Sequence, residues 1–244
     1  VVDHVFADSR LAALYDSMHP FDPRGDFGFY LPMIMAADAV LDVGCGAGLL
    51  LHTARERGHR GRLVGLDPAP GMLAQARLRP NVEWRQGDLA TTPFHEEFDL
   101  VVMTGHAFQV FLTDQEIHQA LTAIRAALTL TGRFAFETRN PLVQGWRQWT
   151  PEHGRTFVAD GVEIRAEHRV QRVEGEFVHF TNTFSSAAWE RPEVSRSTLR
   201  FISADDLGSA LAEAGLEIER QFGDWDSGPL TDGSPEIITV VRPG

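Results

Sequence analysis

One cysteine, Cys45, stands in 244 residues. A lone thiol forms no intrachain disulfide and cannot supply a zinc site of the multi-cysteine kind, so the chain is expected to work in a reducing cytoplasm. No run of about 18 apolar residues appears, so neither a membrane-spanning helix nor a membrane partner is expected. The N-terminal "VVDHVFADSR" lacks a basic segment followed by an apolar one and is not read as a secretory signal. Positive charge is also scarce: 22 Lys and Arg stand against 34 Asp and Glu, a formal net charge of −12. Affinity for a phosphate backbone comes largely from cations, so nucleic acid is not an expected partner. His52, His59, His95, His118 and His153 are scattered, with no pair at metal-ligand spacing on a helix face, and no metal is expected. No serine sits in a nucleophile-elbow pattern. The hydrophobic share of 43% and charged share of 23% suit a soluble chain able to bury a sizeable core.

What is present is an alternation. Residues 3–18 carry apolar residues at helical spacing and predict an N-terminal helix, followed by a turn-rich stretch, "HPFDPRGDFG" (19–28), and a short helix over 29–35. "AVLDV" (39–43) is an apolar run suited to a strand buried on both faces. Further strands are predicted at "RLVGLD" (62–67), "VEWRQGD" (82–88), "FDLVVM" (98–103) and "RFAFET" (133–138). Helices are predicted between them: from Gly48 to Arg57, over 69–79, and over 113–129, where Thr113 and Glu116 form a capping box. This predicts an α/β fold with an open, mostly parallel sheet. From 162 to 203 the pattern changes to alternating strands separated by "EG" (174–175) and "ERP" (190–192), a small antiparallel meander. A helix over 203–215 and two strands, "LEIERQFG" (216–223) and "EIITVVRP" (236–243), follow.

The first strand breaks into "GCGAG", with glycines at Gly44, Gly46 and Gly48. Glycines between a strand and a helix let a ligand approach backbone N–H groups closely, at a helix N-terminus that favours negative groups. The dinucleotide pattern G-x-G-x-x-G requires its third glycine where Leu49 stands, and the match fails there. Asp67, ending the second strand, can accept hydrogen bonds from both hydroxyls of a ribose. Asp88, after the third strand, can read an adenine edge together with a neighbouring backbone amide.

"VLDVGCGAG", "LVGLDPAPGMLAQAR", "QGDLATTPF" and "FDLVVMTGHAF" together resemble the successive motifs of class I S-adenosylmethionine-dependent methyltransferases. The resemblance covers about residues 35–140. It implies a Rossmann-like seven-stranded sheet with a reversed last strand, S-adenosylmethionine as cofactor, and a single methyltransferase domain over 1–244. Within it, 1–36 would be a helical cap and 142–202 an antiparallel lid over the substrate. It implies that Asp42 and the loop Gly44, Cys45, Gly46, Gly48 hold the methionine part. Asp67 would bind the ribose, Pro68 and Met72 would lie beside the adenine, Asp88 and Leu89 at its edge, and Thr104 near the methyl group. The "YD" of "ALYDSMH" and the later insert resemble small-molecule methyltransferases, including sugar N-methyltransferases. In that group Tyr15 would reach over the cofactor and Tyr30 could join it at the substrate. No Asn-Pro-Pro-Tyr-like segment follows the fourth strand, where "TGHAF" stands, and this argues against adenine or glutamine as acceptor.

A small-molecule acceptor is therefore expected, at N, O or C, with nitrogen of an amine or amino sugar favoured. Transfer from a sulfonium needs an aligned nucleophile and, for a protonated acceptor, a base. His106, at the carboxyl edge of the sheet, is the candidate base, with a packing role as its competitor. Arg139 is a candidate contact for an anionic substrate group, against a structural ion pair. Glu137 ends the same strand. Trp146, with Trp149, is a candidate aromatic wall, against packing of the insert. Two readings from other classes remain at this point: a cofactor-binding protein without catalysis, which would lack a substrate cavity under the insert, and a nicotinamide oxidoreductase, opposed by Leu49 and Asp88.

Overall fold

The computed structural model describes residues 2–20 and 22–244. Phe21, inside the turn-rich stretch, lies outside the described residues. The N-terminal segment forms three short helices where one was expected: α1 (His4–Ala7), α2 (Ser9–Ala13) and α3 (Tyr15–Met18). Asp8 is the reason for the first break. Its backbone is extended, and its side chain accepts the N–H groups of Arg10 and Leu11, so it caps a new helix rather than continuing the old one. Helix α4 (Asp26–Ala36) follows, longer than expected, with Pro32 inside it.

The alternating core is then β1 (Ala39–Val43), α5 (Leu49–Glu56), β2 (Arg62–Asp67), α6 (Pro70–Ala76), β3 (Glu83–Gln86), β4 (Phe98–Met103), α7 (Asp114–Ala127) and β5 (Leu128–Arg139). The capping box of α7 is present, with Thr113 accepting from the Glu116 N–H and Glu116 accepting from the Thr113 N–H. The helix nevertheless ends earlier than its apolar pattern suggests. Leu128 turns extended and opens β5, so Gly132 lies inside a strand and not at a helix stop. Its Cβ-less surface lets the Phe98 carbonyl approach, as a Cβ there would lie 2.8 Å from that oxygen.

After β5 the chain builds a second sheet: β6 (Arg155–Ala159), β7 (Val162–Glu174), β8 (Phe177–Ser185) and β9 (Glu193–Arg200). All its pairings are antiparallel. The edge strand β6 was not foreseen; "RTFVA" is five residues long and too short to show alternation. Helix α8 (Ala204–Glu213), capped by Ser203, leads to β10 (Leu216–Phe222) and β11 (Glu236–Pro243).

The main sheet runs β10-β11-β5-β4-β1-β2-β3. The pairs among β1 to β5 are parallel, and β11 is antiparallel to both its neighbours, so the reversed strand is the last one. Period-two alternation sorts its side chains into two cores. Leu41, Val43, Val101 and Met103 pack on one face with Ile117, Leu121 and Leu207 of α7 and α8. Val40, Leu63, Leu100 and Val102 pack on the other with Ile34, Leu50 and Leu51 of α4 and α5. The strand order changes direction between β1 and β4, which opens a crevice at their carboxyl ends. The second sheet and α1 close over this edge. Val5, Leu11 and Leu14 share a core with Ile164, Ala166 and Phe184, and the Val5 N–H donates to Ser195 Oγ.

Candidate active site

A cavity of about 2020 Å³ lies between the carboxyl edge of the main sheet and the second sheet. That is larger than the roughly 300–1,000 Å³ typical of a single small ligand. Its floor contains Gly44, Gly46, Asp67, Pro68, Met72, Asp88, Leu89, Thr104 and His106. Its roof contains Tyr15 and His19 from the cap, and Trp149, Arg155, His168 and Phe180 from the insert.

The glycine turn takes its shape from backbone geometry. Gly44, Gly46 and Gly48 all have φ between 54° and 78°, the left-handed region. Gly48 could not carry a side chain even at an ordinary φ, since a Cβ would lie 2.3 Å from the Trp84 ring. Asp67 ties the turn down. Its Oδ2 accepts the Gly46 N–H at 2.8 Å and its Oδ1 accepts the Ala69 N–H at 2.8 Å. Each carboxylate oxygen keeps a second lone pair, so Asp67 still offers acceptors to the cavity. Asp88 is exposed and makes a tight turn, with Oδ1 accepting from the N–H groups of Ala90 and Thr91. Tyr15 stacks obliquely on His19 at 4.6 Å, and its hydroxyl comes within 3.9 Å of where a Cβ on Gly105 would lie. Burial, then Asp26 and Asp67, push that hydroxyl up to about 12, so it is neutral.

Asp42 is 1% exposed, and its Oδ1 has no hydrogen-bond partner among the described residues. Burial first, then the charges of Asp67 and Glu137, raise it to about 8. Asp42 thus sits in the negative field of Asp67 and Glu137, and no salt bridge joins any of the three to a cation among the described residues. A cationic ligand fits this arrangement, because it supplies the missing counter-charge.

His106 is held from two sides. Its backbone has φ 61°, strained for a residue with a Cβ, and its N–H donates to Glu137 Oε1 at 2.7 Å. The other oxygen of Glu137 accepts the Tyr30 hydroxyl. His106 Nε2 lies 2.9 Å from Glu236 Oε2. Burial, then Arg139, pull the imidazole down to about 3, and burial pushes Glu236 up to about 7. The contact has the distance of an ion pair, but burial disfavours both charges. It is a hydrogen bond between a neutral imidazole and a carboxyl group that titrates near neutrality.

Several candidates lie elsewhere than expected. Tyr30, a candidate substrate contact, is 0% exposed and is not among the residues lining the cavity; its hydroxyl donates to Glu137 Oε2. Trp146 packs edge-on against Phe201 at 4.6 Å and lines a separate outer groove, so of the two tryptophans only Trp149 walls the cavity. Asp42, Cys45 and Gly48 support the turn and are not part of the cavity wall. Arg139 makes no salt bridge among the described residues; it donates to Gln109 Oε1 at 2.9 Å and lies 5.3 Å over the Trp149 ring. Sequence reasoning missed Glu236, Arg155, His168 and His19. Glu236 reaches the site only because β11 pairs with β5 in the register Glu236–Arg139, and no local pattern carries that register.

Comparison with known proteins agrees with this geometry. A family model described as a methyltransferase domain matches residues 40–132. A 2-phytyl-1,4-naphtoquinone methyltransferase from Thermosynechococcus vestitus is 32% identical over 158 residues, covering 57% of this chain and 68% of that protein. The chain spans from 27% to 68% of the lengths of the curated relatives it matches. Among solved structures, an S-adenosylmethionine-dependent methyltransferase from Clostridium acetobutylicum superposes with a TM-score of 0.77 at 16% identity, covering 96% of this chain and 98% of that one. CalS10 from Micromonospora echinaspora, an amino pentose methyltransferase solved with S-adenosylmethionine bound, superposes with a TM-score of 0.71 at 24% identity, covering 95% and 97%. The glycine turn, the acidic residues ending β1 and β2, the reversed last strand and these matches make the chain a member of the class I S-adenosylmethionine-dependent methyltransferases.

Proposed function

We propose that the enzyme methylates a small-molecule acceptor, with a nitrogen of an amine or amino sugar favoured, and that His106 takes the acceptor's proton at Nδ1 while passing its Nε2 proton to Glu236. His106 is held at about 3 and so is a weak base alone, whereas Glu236 titrates at about 7. One observation carries this reading. A single cavity joins the glycine turn to the underside of the insert, and His106 is on its wall. A protein that merely bound the cofactor would have no use for the second compartment. The lone free thiol suits a cytoplasmic setting.

The cofactor would be held by Gly44, Gly46, Asp67, Pro68, Met72, Asp88, Leu89, Thr104 and Tyr15, with Asp42 acting through its charge. When bound it supplies a methyl group already activated by a positive sulfur. The chain's own work is placement and proton removal. Thr104 and His106 follow β4, so the base is positioned by the same strand end that lines the cofactor compartment. When Glu236 is ionised it accepts Nε2–H, and the tautomer leaves the Nδ1 lone pair free to take a proton. When Glu236 is protonated it donates to Nε2, and Nδ1 then carries the hydrogen and cannot act as a base. The choice of nitrogen is in keeping with the shared fold of CalS10, an amino pentose methyltransferase.

The test is S-adenosylhomocysteine release from S-adenosylmethionine with panels of amines, amino sugars, alcohols and carbon acids. Turnover is expected with amines, and His106→Ala is expected to lose it while cofactor affinity stays within about twofold. Turnover of alcohols or carbon acids alone would overturn the choice of nitrogen. Unchanged turnover in His106→Ala would remove the base role.

A further inference from the structure

The far wall of the cavity carries charge of the sign this chain otherwise lacks. The net charge is −12, yet the residues of 139–199 that line the cavity include Arg139, Arg155, Arg172 and Arg196 and no acidic residue. The acidic lining residues are Asp3 from the cap, Asp67 and Asp88 from the main-sheet edge and Glu116 from α7.

Arg139 and Arg155 are left without counter-ions. Neither forms a salt bridge among the described residues, whereas Arg62, Arg79, Arg133, Arg165 and Arg200 each do. Arg139 gives one hydrogen bond, to Gln109, and rests its guanidinium over Trp149. Its remaining N–H donors have no protein acceptor among the described residues. Glu137 and Glu236 offset part of its charge through space but do not bond it. Two imidazoles complete the cluster. Burial, then the charges of Arg155 and His168, pull His19 down to about 4, and burial, then Arg155 and Arg139, lower His168. Both histidines therefore register the same uncompensated positive field. Asn182 lies across from His168 in the sheet register, on the same wall, and its Oδ1 is buried with no partner.

For Arg139, whose guanidinium is withdrawn from solvent, open donors are costly unless something ionic completes them; Arg155 is exposed and free to turn to the same group. The matching group is a planar or tetrahedral oxyanion, which the guanidinium fork binds through two parallel hydrogen bonds. The chain contains no lysine, so every fixed cation here has that fork.

The geometry points to an oxyanion subsite formed by Arg139 and Arg155 beside His19, His168 and Asn182, and so to a methyl acceptor that is itself an acid, bearing a carboxylate or phosphate group. This rests on the proposed function, in which the compartment under the insert holds the acceptor. Arg139, seated over the Trp149 ring, grips the acid group, and the unpartnered Asn182 Oδ1 accepts from a hydroxyl or N–H elsewhere on the same molecule.

The experiment is calorimetric titration of the protein saturated with S-adenosylhomocysteine, at fixed ionic strength. The probes are citrate, inorganic pyrophosphate and, as a neutral control, trehalose. Saturable binding of citrate or pyrophosphate is expected, with none of trehalose. Citrate alone assigns the subsite to carboxylates, pyrophosphate alone to phosphates, and both to oxyanions in general. Arg155→Gln is expected to weaken anion binding about tenfold, the loss of one charge-assisted contact, and Arg139→Gln by at least as much. Arg155 is exposed and unpaired, so its replacement does not threaten folding. S-adenosylhomocysteine affinity should stay within about twofold in both variants. Failure of both anions to bind, or binding that ignores Arg155→Gln, overturns the subsite while the methyltransferase assignment stands. Failure of S-adenosylhomocysteine to bind wild type would instead overturn the reading on which the subsite rests.

Discussion

Cofactor binding is expected to expel a proton from Asp42. In the free site its carboxyl titrates at about 8, raised by burial, then by Asp67 and Glu137. At pH 7 a group with that value is about 90% protonated, since each unit is a factor of ten. S-adenosylmethionine brings a sulfonium and an ammonium group to this region. An opposite charge within about 4–6 Å lowers a carboxyl by roughly 1–3 units. A fall of about two units leaves the group only about 10% protonated at pH 7, so binding releases about 0.8 of a proton. The sign follows: the bound form holds fewer protons, so affinity rises with pH across the window from about 6 to 8, by up to about a hundredfold. Above the free value the effect saturates. The assay is titration calorimetry at pH 7 in buffers of different ionisation enthalpy, where the slope of observed heat against buffer enthalpy counts the protons. S-adenosylhomocysteine, which keeps the ammonium but lacks the positive sulfur, should release fewer. Asp42→Asn should abolish the release and weaken binding. It should also stabilise the free protein above pH 8, where the wild type must carry an unpaired buried charge. A slope of zero in wild type, or an unaltered slope in Asp42→Asn, refutes the claim that Asp42 is the counter-charge.

Glu236→Gln is expected to remove the acid limb of the pH–rate profile that wild type should show near pH 7, since that limb reports the carboxyl which sets the His106 tautomer; a limb retained in the variant would assign it to another group. Asp67→Ala should weaken cofactor binding at least about tenfold, because it removes acceptors worth about 1.5–3 kcal/mol each when charged and also releases Gly46; equal affinity in equilibrium dialysis would contradict this. Tyr30→Phe leaves one oxygen of the buried Glu137 without its donor, which costs about 1–3 kcal/mol of stability, visible in urea unfolding, while the acceptor KM should not move; a raised KM would restore Tyr30 to the substrate compartment.

The two ends of the site were unequally legible in the sequence, and the cause is topological. In a parallel sheet each strand delivers its own loop to the carboxyl edge. The residues that hold the cofactor therefore lie within a few positions of strand ends: Gly44 and Gly46 after β1, Asp67 at the end of β2, Asp88 after β3, Thr104 after β4. Their spacing along the chain mirrors their spacing in space, and a linear reading finds them. The acceptor end is assembled differently. Arg155 enters from an edge strand too short to show a period, and His168 and Asn182 meet only through the β7–β8 register. His19 comes from the cap at the far end of the chain.

Glu236 is the clearest case. It looks like the first residue of an ordinary apolar strand, "EIITVVRP". It becomes part of the site because β11 runs backwards along β5, which sets its first residue against the last residue of β5, Arg139. Every parallel strand of the sheet begins away from the active edge, and only a reversed strand can begin there. The reversal therefore has a chemical consequence: it places a strand's first side chain, rather than a loop residue, beside His106. A strand's first side chain is held by ladder hydrogen bonds from its next residue onward, so Glu236 is fixed more firmly than a loop carboxylate would be. That rigidity is what the tautomer argument requires. If Glu236 could swing away, His106 Nε2 would find water, and the pH limb near 7 would broaden and fall toward the ordinary carboxylate range. A single-proton limb near 7 in wild type, lost in Glu236→Gln and unmoved by salt, is the signature that separates a clamped carboxyl from a mobile one.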